Sequence, residues 1–386
     1  LPVENDRMKI LHVADTHLGY SAYHRVNEDG INQREIDTFN VFEQFVDYAL
    51  KSKPDIIIHA GDLFDSVRPT NRAITFAIHQ IIRLSKQDIP FVVIAGNHEH
   101  PKLRETGHIF SVLDHIENVY PVYNSCYETI PFEINNEKLS VHALPQTATK
   151  QEFDNNFKKL KKTQSSDYNI VVAHGGVKGI KEFSMNEFNE LIIPTQYLKK
   201  DFDYIALGHY HKYVKVSENA FYSGSTECFT FSDAGEKKGF IELELGNGKN
   251  KNNFVSLKNR PMINSDSINC SELSMDEVMN KIKKTIKEIE PQGKIFRIML
   301  ENIPSHIYRG IDFSTIREQS SEAVHYEIKA TVVKEGESKQ IETSKIDALT
   351  NEFEVFLRKQ NIEDKELLLK LGLDYIQKIE SKEEGK

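Results

Sequence analysis

FVVIAGNHEH, residues 91–100, is the stretch on which the reading of the fold turns. Phe91 to Ala95 form a short apolar run rich in β-branched side chains, the signature of a strand buried on both faces. Gly96 lets the backbone turn tightly, and Asn97, His98, Glu99 and His100 follow as four consecutive polar groups. Four other segments share this grammar: KILHVADTH (9–17), DIIIHAGDLFD (55–65), NIVVAHGG (169–176) and YIALGHYH (204–211). In each, a group able to bind metal lies just beyond a strand, at its carboxyl end, where open α/β sheets bind ligands. Ala14, Gly61, Gly96, Ala173 and Gly208 keep these turns small enough for ions to approach. Residues 37–53 and 71–88 read as helices joining the first three strands, so the fold class is α/β built from βαβ connections.

Singly, each candidate ligand is weak evidence, because an Asp at a strand end is often a cap and a lone His is often structural. Recurrence changes the odds. Asp15, His17, Asp62, Asn97, His174, His209 and His211 stand at five comparable strand ends. That set is too large for one tetrahedral zinc and suits two five- or six-coordinate ions sharing a carboxylate, with Asp62 the bridging candidate. His209 and His211 are two apart and project from one side of an extended segment. Two ions ~3.5 to 4 Å apart can activate a water and polarise phosphoryl oxygens for in-line hydrolysis. His98, beside a ligand but surplus to the ligand set, can protonate the leaving alkoxide or stabilise its charge, worth ~10² to 10⁴ in rate. Its other reading is a hydrogen bond that orients Asn97. Glu99 and His100 are read as outside the metal set, Glu99 as able to orient a neighbour and His100 as a loop residue before Pro101.

A chain of 386 residues is long enough for two or three units. With 39% hydrophobic and 28% charged residues it reads as a soluble protein of the cytosol, without a membrane span or signal peptide. Met8 reads as the natural start after a short leader. Cys126, Cys228 and Cys270 are odd in number and widely spaced, the pattern of free thiols. The net charge of −9 argues against a general nucleic-acid coat, although bound divalent cations lie outside such a count. After Arg260 and Pro261, SMDEVMNKIKKTIKEIE carries a capping box, Ser274 with Glu277, and an apolar stripe of Val278, Ile282, Ile286 and Ile289. With the β candidates around it, this helix predicts a small α+β domain over 262–333. Residues 334–344 read as a polar linker, and two short amphipathic helices are expected over 345–379.

In order and spacing, DTH, GDLFD, GNHE, AHGG and GHYH resemble the signature of the calcineurin-like metallophosphoesterases. Their DTHLGY, GDLFD and GNHE versions, with YSGSTE (222–227), resemble the SbcD and Mre-eleven nucleases of DNA double-strand-break repair. The resemblance implies a four-layer β-sandwich flanked by helices over 8–258, with a small DNA-binding α+β cap at 262–333. It also implies a C-terminal helix-loop-helix at 345–379. Asp15, His17, Asp62 and His211 would hold one manganese ion, Asp62, Asn97, His174 and His209 the other, and His98 matches the catalytic, non-ligand histidine. Such enzymes are single-strand endonucleases and 3′-to-5′ double-strand exonucleases. Some relatives carry His where this chain has Asp65, and there it helps set up the duplex-end reaction.

The resemblance further implies a homodimer formed through helices at residues 71–86 and 106–118, with Ile74, Ile78, Ile109, Phe110 and Leu113 in contact; these side chains could equally face their own core. A zinc-hook SMC-like ABC ATPase is the expected partner. Leu349, Phe353, Phe356, Leu367, Leu371 and Ile376 would anchor it, the alternative being a helical hairpin packed on the cap. Tyr20, Arg25, Asn32, Gln33, Arg34 and Arg68 are chemically suited to contact DNA ends and single strands, or else belong to a solvated loop. A phosphatase or small-nucleotide phosphodiesterase could share every ligand. A non-catalytic scaffold that tethers DNA ends would have no need of seven ligands and His98.

Overall fold

Strand β1 (Met8–Val13) is followed by helix α1 (Gln33–Ser52), β2 (Ile56–His59), α2 (Asn71–Ser85), β3 (Phe91–Ile94) and β4 (Val119–Val122). β1 to β4 lie parallel and in sequence order, as right-handed βαβ units dictate. Helix α1 starts where the Asn32 side chain accepts from Arg34 N and stops at Lys53, whose φ of 48° is left-handed. Thr70 caps α2 by accepting from Ala73 N. The expected helix over 106–118 is instead one short 3₁₀ turn, Ile109–Val112, among the described residues.

A second sheet begins with β5 (Glu128–Ile134), β6 (Glu137–Leu144), helix α3 (Lys150–Lys159) and β7 (Tyr168–His174). A small ribbon, β8 (Gly176–Val177) with β9 (Ile192–Ile193), precedes β10 (Tyr204–Gly208), β11 (Val214–Lys215) and β12 (Ala220–Tyr222). The chain then returns to the first sheet as β13 (Gly239–Leu245), antiparallel to β1, and β14 (Lys251–Ser256). The strand orders are β14-β13-β1-β2-β3-β4 and β11-β12-β10-β7-β6-β5.

Alternation of side chains builds four layers. Ile10, Ile56, Ile58, Val92 and Ile94 face inward onto Val141, Ile170, Val172 and Ala206 of the second sheet. Their neighbours Leu11, Val13, Ile57 and Val93 point outward onto Phe42, Phe45 and Val46 of α1 and Ala77 and Ile81 of α2. On the far side, Val171, Ile205 and Leu207 cover Phe153 and Phe157 of α3. Strands buried on both faces explain why the sequence reads as continuous apolar runs.

Beyond Arg260 the chain forms β15 (Met262–Asn269), α4 (Met275–Ile289), β16 (Ile295–Pro304), α5 (Ser305–Gly310), α6 (Phe313–Gln319) and β17 (His325–Val333). Ser274 and Glu277 make the capping box, and Val278, Ile282, Ile286 and Ile289 are buried against Phe296, Ile298 and Leu300. This three-stranded unit clusters with the two sheets in one body, Leu1–Val332, distinct from Val333–Lys386.

The computed structural model describes residues 7–101, 107–178, 191–198, 201–246 and 250–333, together with Leu357, Leu368, Leu369, Leu371 and Gly372. The expected linker, and Leu349, Phe353, Phe356, Leu367 and Ile376 of the expected partner-binding helices, lie outside them. Leu371 is helical and exposed. Among the described residues, no helix is long and apolar enough to cross a membrane.

Candidate metal centre

The carboxyl ends of β1, β2 and β3 meet those of β7 and β10, and there the polar groups converge. Asp15, His17 and His211 bring one donor atom each within 4.8 Å of one another, as do Asp62, His174 and His209. His17 Nε2 and His211 Nε2 are 3.2 Å apart. Asn97 Oδ1 lies 2.9 Å from His174 Nε2 and 3.0 Å from His209 Nδ1. Asp62 Oδ2 stands 3.2 Å from His174 Nε2 and 3.9 Å from His17 Nε2, between the two groups. Nitrogen and oxygen donors aimed at two neighbouring points are the arrangement a pair of divalent cations requires, so the residues fit such a centre.

The backbone is held in a costly shape to achieve this. Asp15 (φ 52°), His17 (45°), Asp62 (55°) and His209 (108°) all have positive φ, a conformation L-residues avoid and which clusters at functional sites. Gly96 has no such φ but is required for space: a Cβ there would lie 2.1 Å from Asp62 Oδ1. A Cβ on Gly208 would lie 2.1 Å from the Ala60 carbonyl oxygen, where the two sheets touch.

Outer hydrogen bonds fix which ring atoms face inward. His174 Nδ1 lies 2.8 Å from Ala60 O, a pure acceptor, so Nδ1 carries the proton and Nε2 points to the site. His17 Nδ1 stands 3.3 Å from Asp65 Oδ1. His98 Nδ1 donates to the Asp65 carbonyl at 2.9 Å, and its backbone N–H donates to Asp62 Oδ1 at 3.0 Å. The His98 ring lies 4.5 Å from that of His17 and is part-exposed. Asp15 accepts from His209 N at 2.9 Å.

Burial alone would raise the Asp62 carboxyl, but His174, by charge and hydrogen bond, and then His17 and His98 hold it well below its usual range. Burial opposes a charged His174, yet Asp62 and Asp15 push it up to about 10. Burial and the neighbouring His17 depress His211. The 3.2 Å contact of Asp62 with His174 is an ion pair when His174 is protonated, and a cation taking His174 Nε2 would displace that proton.

Several residues here were not assigned to the site from sequence. Glu99 is fully buried, and its Oε1 accepts from Leu63 N at 3.2 Å and Gly96 N at 3.3 Å. It ties the loop after β2 to the loop after β3, which sharpens the reading of a residue that orients a neighbour. Beneath the site, His59 Nε2 pairs with Thr16 Oγ1 and His12 Nδ1 with the Tyr204 hydroxyl. Burial lowers both imidazoles to about 3. His100 lies apart, its ring 6.3 Å from that of His108.

The residues considered for DNA contact divide. Arg68 and Arg25 are exposed, with Arg25 Nη1 3.4 Å from Ser321 O. Tyr20 donates to Phe229 O at 3.0 Å, Asn32 caps α1, and Gln33 bonds Asp37. Arg34 is only 1% exposed; its guanidinium is enclosed by Asp37, Glu227 and the Cys228 carbonyl. Of the residues considered for dimer contact, Phe110 and Leu113 are buried in the core beside α1 and α2 and Ile109 packs against it, whereas Ile74 and Ile78 are part-exposed.

Four layers with clusters of side chains able to bind metal at the strand ends define a metal-dependent phosphoesterase, a hydrolase. Consistent with this, the calcineurin-like phosphoesterase pattern matches residues 8–213, and the chain belongs to that family. Its sequence is similar to the DNA double-strand break repair protein Mre11 of Methanococcus maripaludis, 27% identical over 73% of this chain and 74% of that one. It is also similar to the protein of the same name from Saccharolobus solfataricus, 35% identical over 55% of this chain and 51% of that one. The calcineurin-like phosphoesterase YfkN from Bacillus subtilis aligns in structure with a TM-score of 0.38 and 14% identity, over 73% of this chain and 97% of that one.

Proposed function

We propose that the protein is a manganese-dependent DNA nuclease of double-strand-break repair that hydrolyses phosphodiesters with two ions. In this reading it cuts single strands internally and degrades duplex ends 3′ to 5′. Residues 8–258 carry the chemistry, 262–333 cap it, and 334–344 lead to a helical pair at 345–379 that engages an SMC-like ATPase. It works as a homodimer in the cytoplasm, associated with DNA.

The observation that carries the reading is the convergence of Asp15, His17 and His211, and of Asp62, His174 and His209 with Asn97, at neighbouring strand ends, with His98 beside them. The likeness to proteins named for DNA double-strand break repair supports DNA as substrate. Asp15, His17, Asp62 and His211 hold one ion; Asp62, Asn97, His174 and His209 hold the other. Bound there, the ions supply charge neutralisation and activate the attacking water. With Nδ1 committed to the Asp65 carbonyl, His98 presents Nε2 to substrate. Protonated, that atom gives its proton to the departing sugar oxygen as the phosphorus–oxygen bond breaks.

The test incubates linear duplex and circular single-stranded DNA with manganese, magnesium or chelator. Cleavage is expected with manganese and little with magnesium, falling ~10² to 10⁴-fold in His98→Leu and to background in Asp62→Ala. Parental activity in both variants would overturn the assignment; parental hydrolysis of small nucleotides alone, with intact DNA, would favour the small-substrate reading.

A further inference from the structure

Among the described residues Lys238 is the one lysine of the largest fully buried side chains, only 1% exposed, immediately before β13. Its Nζ donates to the backbone carbonyl of His211 at 2.6 Å and to Asp233 Oδ1 at 2.8 Å. The same carbonyl accepts from Ser225 N at 3.1 Å and Ser225 Oγ at 3.3 Å. His211 sits in a bend outside any strand, so no ladder of backbone bonds fixes it. These three donors do so instead.

Asp233 extends the arrangement. Its other oxygen accepts from Phe229 N and Thr230 N, both at 3.0 Å. That seats the Phe229 ring 4.7 Å from His17 and 5.2 Å from His211, walling the side of the first metal group. Two residues on, the Phe231 carbonyl accepts from Asn264 and its ring lies 4.0 Å from the Arg297 guanidinium, both in the unit beyond Arg260. A buried ammonium is expensive unless paired and hydrogen-bonded, and an apolar side chain would fill the same space at less cost. A charge retained there, bonded to a ligand's backbone, argues for geometry over stability.

We propose that Lys238 is a positioning residue: through the His211 carbonyl and Asp233 it sets where His211 Nε2 stands relative to His17 Nε2, and so determines the affinity of one of the two cation sites. The proposal rests on the two-ion reading above.

Manganese titration of the metal-free full chain, by calorimetry and by the electron spin resonance of free ion, tests it without reference to cleavage. The parent is expected to take up two ions. In Lys238→Met one should weaken ~10- to 100-fold, the loss typical when an outer partner of a ligand is removed, while the other holds. The weakened ion should be the one lost in His211→Ala and retained in His209→Ala. Lys238→Arg, which keeps charge and donors, should recover part of the affinity. Asp233→Asn should weaken the same ion, and it decides the matter should Lys238→Met fail to fold. Parental binding of both ions by folded Lys238→Met or Asp233→Asn would overturn the proposal, as would equal weakening of both. Fewer than two ions on the parent itself would break the two-ion reading before any variant is compared.

Discussion

The candidate metal centre and the helix α4 of the small three-stranded unit are built on opposite principles. In α4 every local signal agrees. Ser274 and Glu277 satisfy the helix start, the stripe Val278, Ile282, Ile286 and Ile289 meets an apolar sheet, and the charged face looks outward. In the centre, local preference is overruled. Four candidate ligands carry positive φ, Glu99 keeps one carboxylate oxygen without a partner, and two neutral imidazoles lie beneath the site. Agreement across levels makes a stable element. Local conflict held in place by the surrounding fold marks a site whose geometry, more than its stability, is under demand.

Substitutions should separate the two. Gly96→Ala pushes a Cβ to within 2.1 Å of Asp62 Oδ1, displacing that carboxylate. Manganese-dependent cleavage should fall ~10²-fold or more, since a misplacement near 1 Å costs that much; near-parental rates would show that the loop absorbs the methyl. Ile282→Ala should do the reverse, lowering stability by ~2 to 5 kcal/mol in urea unfolding and leaving manganese affinity unchanged. A change in affinity there would erase the distinction between the regions.

The smallest effect concerns acid. His59 is lowered to about 3 when folded, against 6.5 unfolded, because it is buried. Its contribution is therefore present above 6.5 and lost as pH falls from 6.5 toward 3, while the unfolded chain gains a proton the folded one refuses. The stability advantage of the parent over His59→Gln should shrink by about 1 kcal/mol between pH 6.5 and 5.5. A constant difference would mean that the ring takes up its proton inside the fold.

Much of the centre was legible from spacing. Five apolar runs each ending in a small residue and a ligand type gave the strands, their carboxyl ends and the two donor groups that the structure brings together. The helix over 71–85 and the capping box at Ser274 were equally readable, because both depend on neighbours three or four residues away. What escaped involves long-range partners. Glu99 looked peripheral because its acceptor role needs Leu63 N, on another loop. Arg34 looked like a DNA contact because its enclosure requires Glu227, 193 residues away. Residues 106–118 looked helical, yet Phe110 and Leu113 are drawn into the core beside α1 and α2, and one 3₁₀ turn suffices to place them.

The sequence by itself therefore determined the α/β class, the strand ends and the donor types gathered at the centre, because periodicity and residue type are local properties that the backbone turns directly into faces and ends. The tertiary structure alone decided which donor groups lie together, which ring nitrogen faces inward, and which charges lie buried behind them. Those depend on distances of about 3 Å between segments far apart in the chain, and only packing of the two sheets against each other sets such distances.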